Sequence, residues 1–239
     1  MSSAQFPAIA VIPAAGVGQR MASNIPKQYL NCLGKPLIWY ALKQMQQCDW
    51  IEHIFVSISS TDEYWQDEIG DTFAKVILVE GGASRAHSVL NGLNKALEYC
   101  NDNTWTLVHD AARPCLFDND LEAIKQTLFS DEVDGLILAD KVHDTVKSAR
   151  DNELIDKTVD RSTLWRAQTP QVFPLGALQS ALQKADLQLI TDEASAMESV
   201  AGSDSYNIKL LQGDPRNIKV TRPQDLSLVS LYLSEQKEN

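Results

Sequence analysis

The chain has 239 residues, 44% of them hydrophobic and 22% charged, which is the composition of an ordinary soluble globular protein. Its formal charge of -11 argues against a nucleic acid or an anionic membrane surface as partner. No apolar run approaches the ~20 residues a bilayer span requires, and four cysteines with no CxxC spacing read as reduced thiols of a cytoplasmic protein.

Ala8–Ile12 is a short apolar run that ends in Pro-Ala-Ala-Gly, the mark of a buried strand entering a loop. It lacks the basic flank of a signal peptide. Leu37, Ile38, Ala41, Leu42 and Met45 recur at helical spacing after Gly34-Lys35-Pro36. Ile54–Ile58 and Lys75–Glu80 read as strands, the second ending in Gly81-Gly82. Val89, Leu90, Leu93, Ala96 and Leu97 mark an amphipathic helix. Thr106–His109 is a strand running into Asp110-Ala111-Ala112-Arg113-Pro114. A helix through Leu121, Ile124 and Leu128 and a strand at Gly135–Ala139 follow. Alternating strands and helices predict an α/β fold, a mostly parallel sheet with helices on both faces.

Residues 140–173 break this rhythm with alternating polar and apolar residues and a turn near Arg150–Glu153. They predict a β-hairpin arm that needs a partner subunit to pack against, because a lone hairpin is marginal. Helices are expected at Leu175–Ala185 and at Asp192–Ser199, the latter with Thr191 as N-cap. Asn207–Leu211 and Ile218–Val220 read as strands, and Pro223 opens a last helix. The whole chain, 1–239, reads as one domain with the arm inserted in it.

Ligands of such folds bind in loops at the carboxyl ends of strands, so the loops at 13–27, 81–88 and 110–114 are the places to look. The first 48 residues hold no Asp or Glu, although Arg20, Lys27, Lys35 and Lys43 lie among them. The Walker pattern is absent, and Gly16-Val17-Gly18 lacks the third glycine of a dinucleotide fingerprint, with Met21 in its place. What remains is a nucleotidyltransferase loop. Ala14, Ala15, Gly16 and Gly18 let backbone N–H groups approach an anion, Arg20 offers a fork of donors and Lys27 a point charge. A carboxylate there would repel a triphosphate by about 4 kcal/mol at ~4 Å with an effective dielectric of ~20. A glycine-rich turn with solvated cations is the plain alternative. In the other loops, Ser88 is set to hydrogen-bond a base edge, and Asp110 to meet Mg²⁺ or a ribose, or to pair with Arg113. Lys219, between Ile218 and Val220, points to the face opposite theirs. The four histidines have no metal-ligand spacing.

The pieces "PAAGVGQRM", "PKQYL", "GGASRAHSV", "VHDAARP", "DTVK", "TVDRSTLW", "QTPQ", "TDEASAME" and "NIKVTRPQDL" stand in one order from about residue 8 to 230. As an ordered set they resemble the 2-C-methyl-D-erythritol 4-phosphate cytidylyltransferases of the non-mevalonate isoprenoid pathway. The resemblance implies a Rossmann-like core and a homodimer with interlocking arms. It implies formation of CDP-methylerythritol and pyrophosphate from CTP and methylerythritol phosphate, with Mg²⁺. It gives Arg20 and Lys27 the stabilisation of charge on the CTP phosphates, and Arg161 and Lys219 the holding of methylerythritol phosphate for in-line attack. Arg113, Thr145, Thr169 and Thr191 would contact that second substrate, Arg161 and Thr145 in the partner's site. Pro13, Ala14, Ala15, Gly16, Gly18, Gly82 and Ser88 would enclose the nucleotide. Asp110 and Ala111 would lie by the ribose, with Asp110 helping to place the metal. Ala83 stands where the family often has a polar residue, so a base contact there would come from the backbone. A ribitol 5-phosphate cytidylyltransferase and a non-catalytic nucleotide sensor share the same loop features.

Overall fold

The computed structural model describes residues 7–16, 25–200 and 206–235. In chain order the elements are β1 (Ala8–Pro13), a 3₁₀ turn (Lys27–Tyr29), β2 (Asn31–Cys32), β3 (Lys35–Pro36), α1 (Leu37–Gln47), β4 (Ile51–Ile58), α2 (Trp65–Glu68), β5 (Val76–Glu80) and α3 (Arg85–Ala96). Then come β6 (Trp105–Val108), α4 (Asp118–Ser130), β7 (Gly135–Lys141), β8 (Val146–Ala149), β9 (Ile155–Val159), β10 (Trp165–Pro174), α5 (Leu175–Lys184), α6 (Glu193–Val200), β11 (Ile208–Gln212) and α7 (Pro223–Glu235).

Seven strands form the central sheet in the order β11-β7-β10-β6-β1-β4-β5. The β1–β4, β1–β6, β4–β5 and β7–β11 pairs are parallel, and β10 runs antiparallel to both neighbours. Parallel strands covered on both faces are apolar throughout, and β1 is the example. Ala8, Ala10 and Ile12 pack on one side with Ile38 and Leu42 of α1 and Ile124 of α4. Ile9 and Val11 pack on the other with Val89 and Leu93 of α3 and Leu178 of α5. A smaller cluster joins Cys32, Leu37, Cys115 and Phe117 to Val229 and Leu233 of α7. Gly135 opens β7 beneath the buried ring of Phe173, where an added Cβ would stand 2.2 Å from Cδ1. Gly135→Ala is expected to lower the unfolding free energy by about 1–3 kcal/mol through overpacking, measured by urea denaturation.

Three expectations are corrected. The projecting hairpin is β8–β9 alone, with its turn closed by Arg150 N–H donating to Leu154 C=O at 2.9 Å. Residues 165–174 return into the central sheet between β6 and β7, so the arm is shorter than 140–173. Ile218–Val220 forms no strand: Val220 N–H donates to Ala112 C=O at 2.9 Å, an isolated bond with no ladder around it. The cap of α6 is Asp192, whose Oδ1 accepts from Ser195 N–H at 2.9 Å, and not Thr191. The β2–β3 ribbon, unread in the sequence, turns through Leu33 and Gly34 at φ of 50° and 86°. That left-handed pair is the conformation a two-residue hairpin needs.

Candidate active site

The chain steps from β1 to β4 and β5 on one side, then crosses to β6 on the other. β1 and β6 therefore flank the point where strand order reverses, the crevice in which open α/β sheets place ligands. A cavity of about 350 Å³ opens there. The end of β1 lines it with Pro13, Ala14, Ala15 and Gly16, and the 3₁₀ turn adds Lys27 and Gln28. The β5–α3 loop contributes Gly82 to Arg85 and Ser88, the segment after β6 contributes Asp110 to Ala112, and Lys219 enters from the chain before α7.

Each wall is held by identifiable bonds. Ala14 N–H donates to Ser57 C=O of β4 at 2.7 Å, extending the sheet past β1. Gln28 Nε2 donates to Ala14 C=O, while the buried Tyr29 stacks on Tyr64 with ring centroids 5.3 Å apart and donates to Asp62 at 2.9 Å. Lys27 is thus carried by a turn whose next two residues are anchored. Gly16 has open space where a Cβ would point, whereas Gly81 would strike Ala15 Cβ at 2.2 Å and Gly82 would strike His87 Cβ at 2.4 Å. The buried Ser88 hydroxyl accepts from Gly82 N–H at 3.0 Å and donates to Ser84 C=O at 3.0 Å, so it shapes the loop from within.

Asp110 is the electrostatic hub. Its Oδ1 receives Arg85 Nε at 2.8 Å, and its Oδ2 receives Lys219 Nζ at 2.8 Å, with Arg113 Nε at 3.6 Å. Burial alone would raise its pKa, but Arg85 and Lys219 hold the carboxyl well below the usual carboxylate range. Arg85 also grips Glu193 of α6 with two bonds, at 2.7 and 3.1 Å. Burial opposes the Arg85 charge, and Glu193 and Asp110 together raise its pKa above the ordinary value. Three cations, Lys27, Arg85 and Lys219, thereby reach one cavity of an acidic chain.

Arg113 and Thr169 stand behind the wall and not in it. Arg113 donates to Asn217 C=O at 2.6 Å, and the buried Thr169 bonds His109 and the Asp110 backbone. Thr191 is exposed and its N–H donates to Ser195 Oγ at 3.1 Å. Thr145 and Arg161 lie on the arm side of the molecule, outside this cavity, with Arg161 donating to His143 C=O. Gly18 and Arg20 lie outside the described residues. Sequence reading missed Arg85 and Glu193. Arg85 follows the Ser84 N-cap directly, but its partner stands 108 residues on, a pairing that spacing does not reveal.

Burial pushes the His109 imidazole down to about 4. A group neutral when folded and titrating near its ordinary 6.5 when unfolded binds more protons in the unfolded state between those values. Its stabilisation is complete above the unfolded value and declines as pH falls toward the folded one. Wild-type protein is expected to lose about 2 kcal/mol more than His109→Gln between pH ~7 and ~5, measured by urea denaturation at both.

The family model for 2-C-methyl-D-erythritol 4-phosphate cytidylyltransferase (IspD) matches residues 8–235. The chain belongs to this family. A family member from Photorhabdus laumondii is 45% identical over 233 residues, 95% of this chain and 94% of that one. One from Haemophilus influenzae is 47% identical over 231 residues, 96% and 97% of the two chains. A crystal structure of 4-diphosphocytidyl-2C-methyl-D-erythritol synthase superposes with a TM-score of 0.81 at 37% identity, covering 95% of this chain and 98% of that one. The Francisella tularensis cytidylyltransferase gives 0.80 at 31%, covering 95% and 99%. The Rossmann-like reading of the core stands with them, and the ribitol phosphate and sensor alternatives are not favoured.

Proposed function

We propose that this chain joins CTP to 2-C-methyl-D-erythritol 4-phosphate, yielding CDP-methylerythritol and pyrophosphate. A phosphate oxygen of methylerythritol phosphate attacks the α-phosphorus of CTP. As the new P–O bond forms, the bond to the β-phosphate breaks and its electron pair leaves with pyrophosphate. The observation that carries the reading is the convergence of Lys27 and Lys219 on a cavity walled by Ala14, Ala15 and Gly16 at the β1–β6 switch point. Such a displacement needs no covalent enzyme intermediate, so positioning and fixed cations do the work. In this account Arg20 and Lys27 stabilise the triphosphate, small residues of the β1 and β5 loops enclose the nucleotide, and Lys219 holds the methylerythritol phosphate.

Mg²⁺ belongs to the proposal. Among the described residues no three His, Cys, Asp or Glu side chains cluster to hold a metal, and Asp110 is a carboxylate on the cavity wall. One carboxylate with phosphate oxygens is a donor set that Mg²⁺ takes, but both Asp110 oxygens already receive Arg85 and Lys219, so an ion delivered with the nucleotide would be held chiefly by phosphate oxygens. The ion, when bound, neutralises phosphate charge.

The second part is a homodimer. Leu154 and Ile155 at the hairpin tip are 59% and 65% exposed, a poor state for apolar residues on a two-stranded ribbon. The proposal places that hairpin on a second copy, with Thr145 and Arg161 serving the partner's cavity. A cytoplasmic location is supported by four free thiols; among the described residues no helix is long and apolar enough to cross a membrane. The test of the reaction is ³¹P NMR of the product. Two coupled diphosphate resonances plus free pyrophosphate are expected, and CTP hydrolysed to CMP would overturn the reading.

A further inference from the structure

His109 is fully buried behind the cavity, and the reaction makes no use of it. Its two ring nitrogens are both engaged: Nε2 lies 2.9 Å from Arg113 C=O and Nδ1 lies 2.9 Å from Thr169 Oγ1. The directions of these bonds follow from the groups themselves. A carbonyl oxygen only accepts, so Nε2 carries the hydrogen. The Asp110 N–H only donates, and it points at Thr169 Oγ1 from 3.1 Å. In a neutral ring with its hydrogen on Nε2, Nδ1 only accepts, so Thr169 Oγ1 gives its own hydrogen there while it accepts from Asp110 N–H. A relay results, Asp110 N–H to Thr169 O–H to His109 Nδ1, and His109 Nε2–H to Arg113 C=O.

The relay clamps both ends of the turn closed by Arg113 N–H on Asp110 C=O at 3.0 Å. That turn carries Asp110, the anchor of Lys219. Thr169 also fixes the other side, since its C=O accepts from Asn217 Nδ2 at 2.8 Å, two residues before Lys219, and Arg113 donates to Asn217 C=O. The imidazole and the hydroxyl tie the turn to strand β10, and Asn217 ties the lysine-bearing segment to both.

We infer that His109, as a neutral ring with its hydrogen on Nε2, is a positioning residue that sets Asp110 and through it Lys219, with Thr169 as its working partner. This rests on the cytidylyl-transfer reading. Displacement of a catalytic group by about 1 Å costs on the order of 10²-fold. His109→Gln and Thr169→Val are each expected to lower kcat about 10–100-fold, and Thr169→Ser, which keeps the hydroxyl, to stay within about threefold of wild type. Because both changes cut the same relay, the double variant is expected to lose no more than the worse single one. The signature independent of activity is ¹⁵N NMR of the side-chain histidines in the full chain near pH ~7.5, with His109 assigned from the signal lost in His109→Gln. It should give one lone-pair nitrogen and one protonated nitrogen, the proton on Nε2. A proton on Nδ1, a doubly protonated ring, or multiplicative losses in the double variant would overturn the inference. If the variants fail to fold, the wild-type tautomer alone decides. Wild-type protein without transferase activity would instead remove the reaction reading and leave the tautomer result standing.

Discussion

Lys27→Ala is expected to cost turnover about 10²–10³-fold in a protein that stays folded, the typical loss when one preorganised donor to developing charge is removed. Lys27 projects into the cavity from a half-buried position, and Gln28 and Tyr29 anchor the turn that carries it. Removing the ammonium therefore leaves those anchors intact. Circular dichroism and the urea midpoint should match wild type, while steady-state pyrophosphate release falls. Lys27→Arg restores charge but not the compact point geometry, and is expected to recover only part of the rate. Unchanged turnover in Lys27→Ala would remove the residue from the mechanism.

A mixture of Lys27→Ala and Arg161→Ala proteins is expected to regain activity that neither parent has. If each site takes Lys27 from one subunit and Arg161 from the other, a heterodimer carries both defects in one site and none in the second. Its activity is then roughly half that of a wild-type dimer, because positioning groups act as a unit within a site. The motivation is spatial: Arg161 leans on His143 C=O at the base of the arm, away from its own cavity, while Lys27 lines it. Co-expression with two different tags, tandem purification and a pyrophosphate assay supply the measurement. A purified heterodimer as inactive as its parents would exclude the shared site.

The central elements were legible because their residues carry one signal each. β1 is a continuous apolar run and β4 holds one at Ile54–Val56, α1 and α3 keep helical spacing, and the glycines at 81 and 82 end a strand. β10 was hidden because Arg166, Gln168 and Gln171 make it read as polar arm. In the fold Gln168 and Gln171 are buried, and their side-chain amide nitrogens donate far along the chain, to Asp214 C=O and Asp192 Oδ2. The loops of the site were readable from small residues and cations near strand ends. Their wiring was not. Arg85 to Glu193 and Lys219 to Asp110 are pairs between distant segments, made by topology and not by local pattern. Lys219 stands out beside Ile218 and Val220 but its role comes from the resemblance, and the strand expected around it is replaced by the bond between Val220 and Ala112, which brings the lysine to Asp110.

The most direct test of the central claim is pyrophosphate release from CTP and Mg²⁺, with methylerythritol phosphate as acceptor in one sample and ribitol 5-phosphate in another. The account predicts release with methylerythritol phosphate alone. Release with ribitol 5-phosphate alone, or with neither from folded protein that still binds CTP, would contradict it.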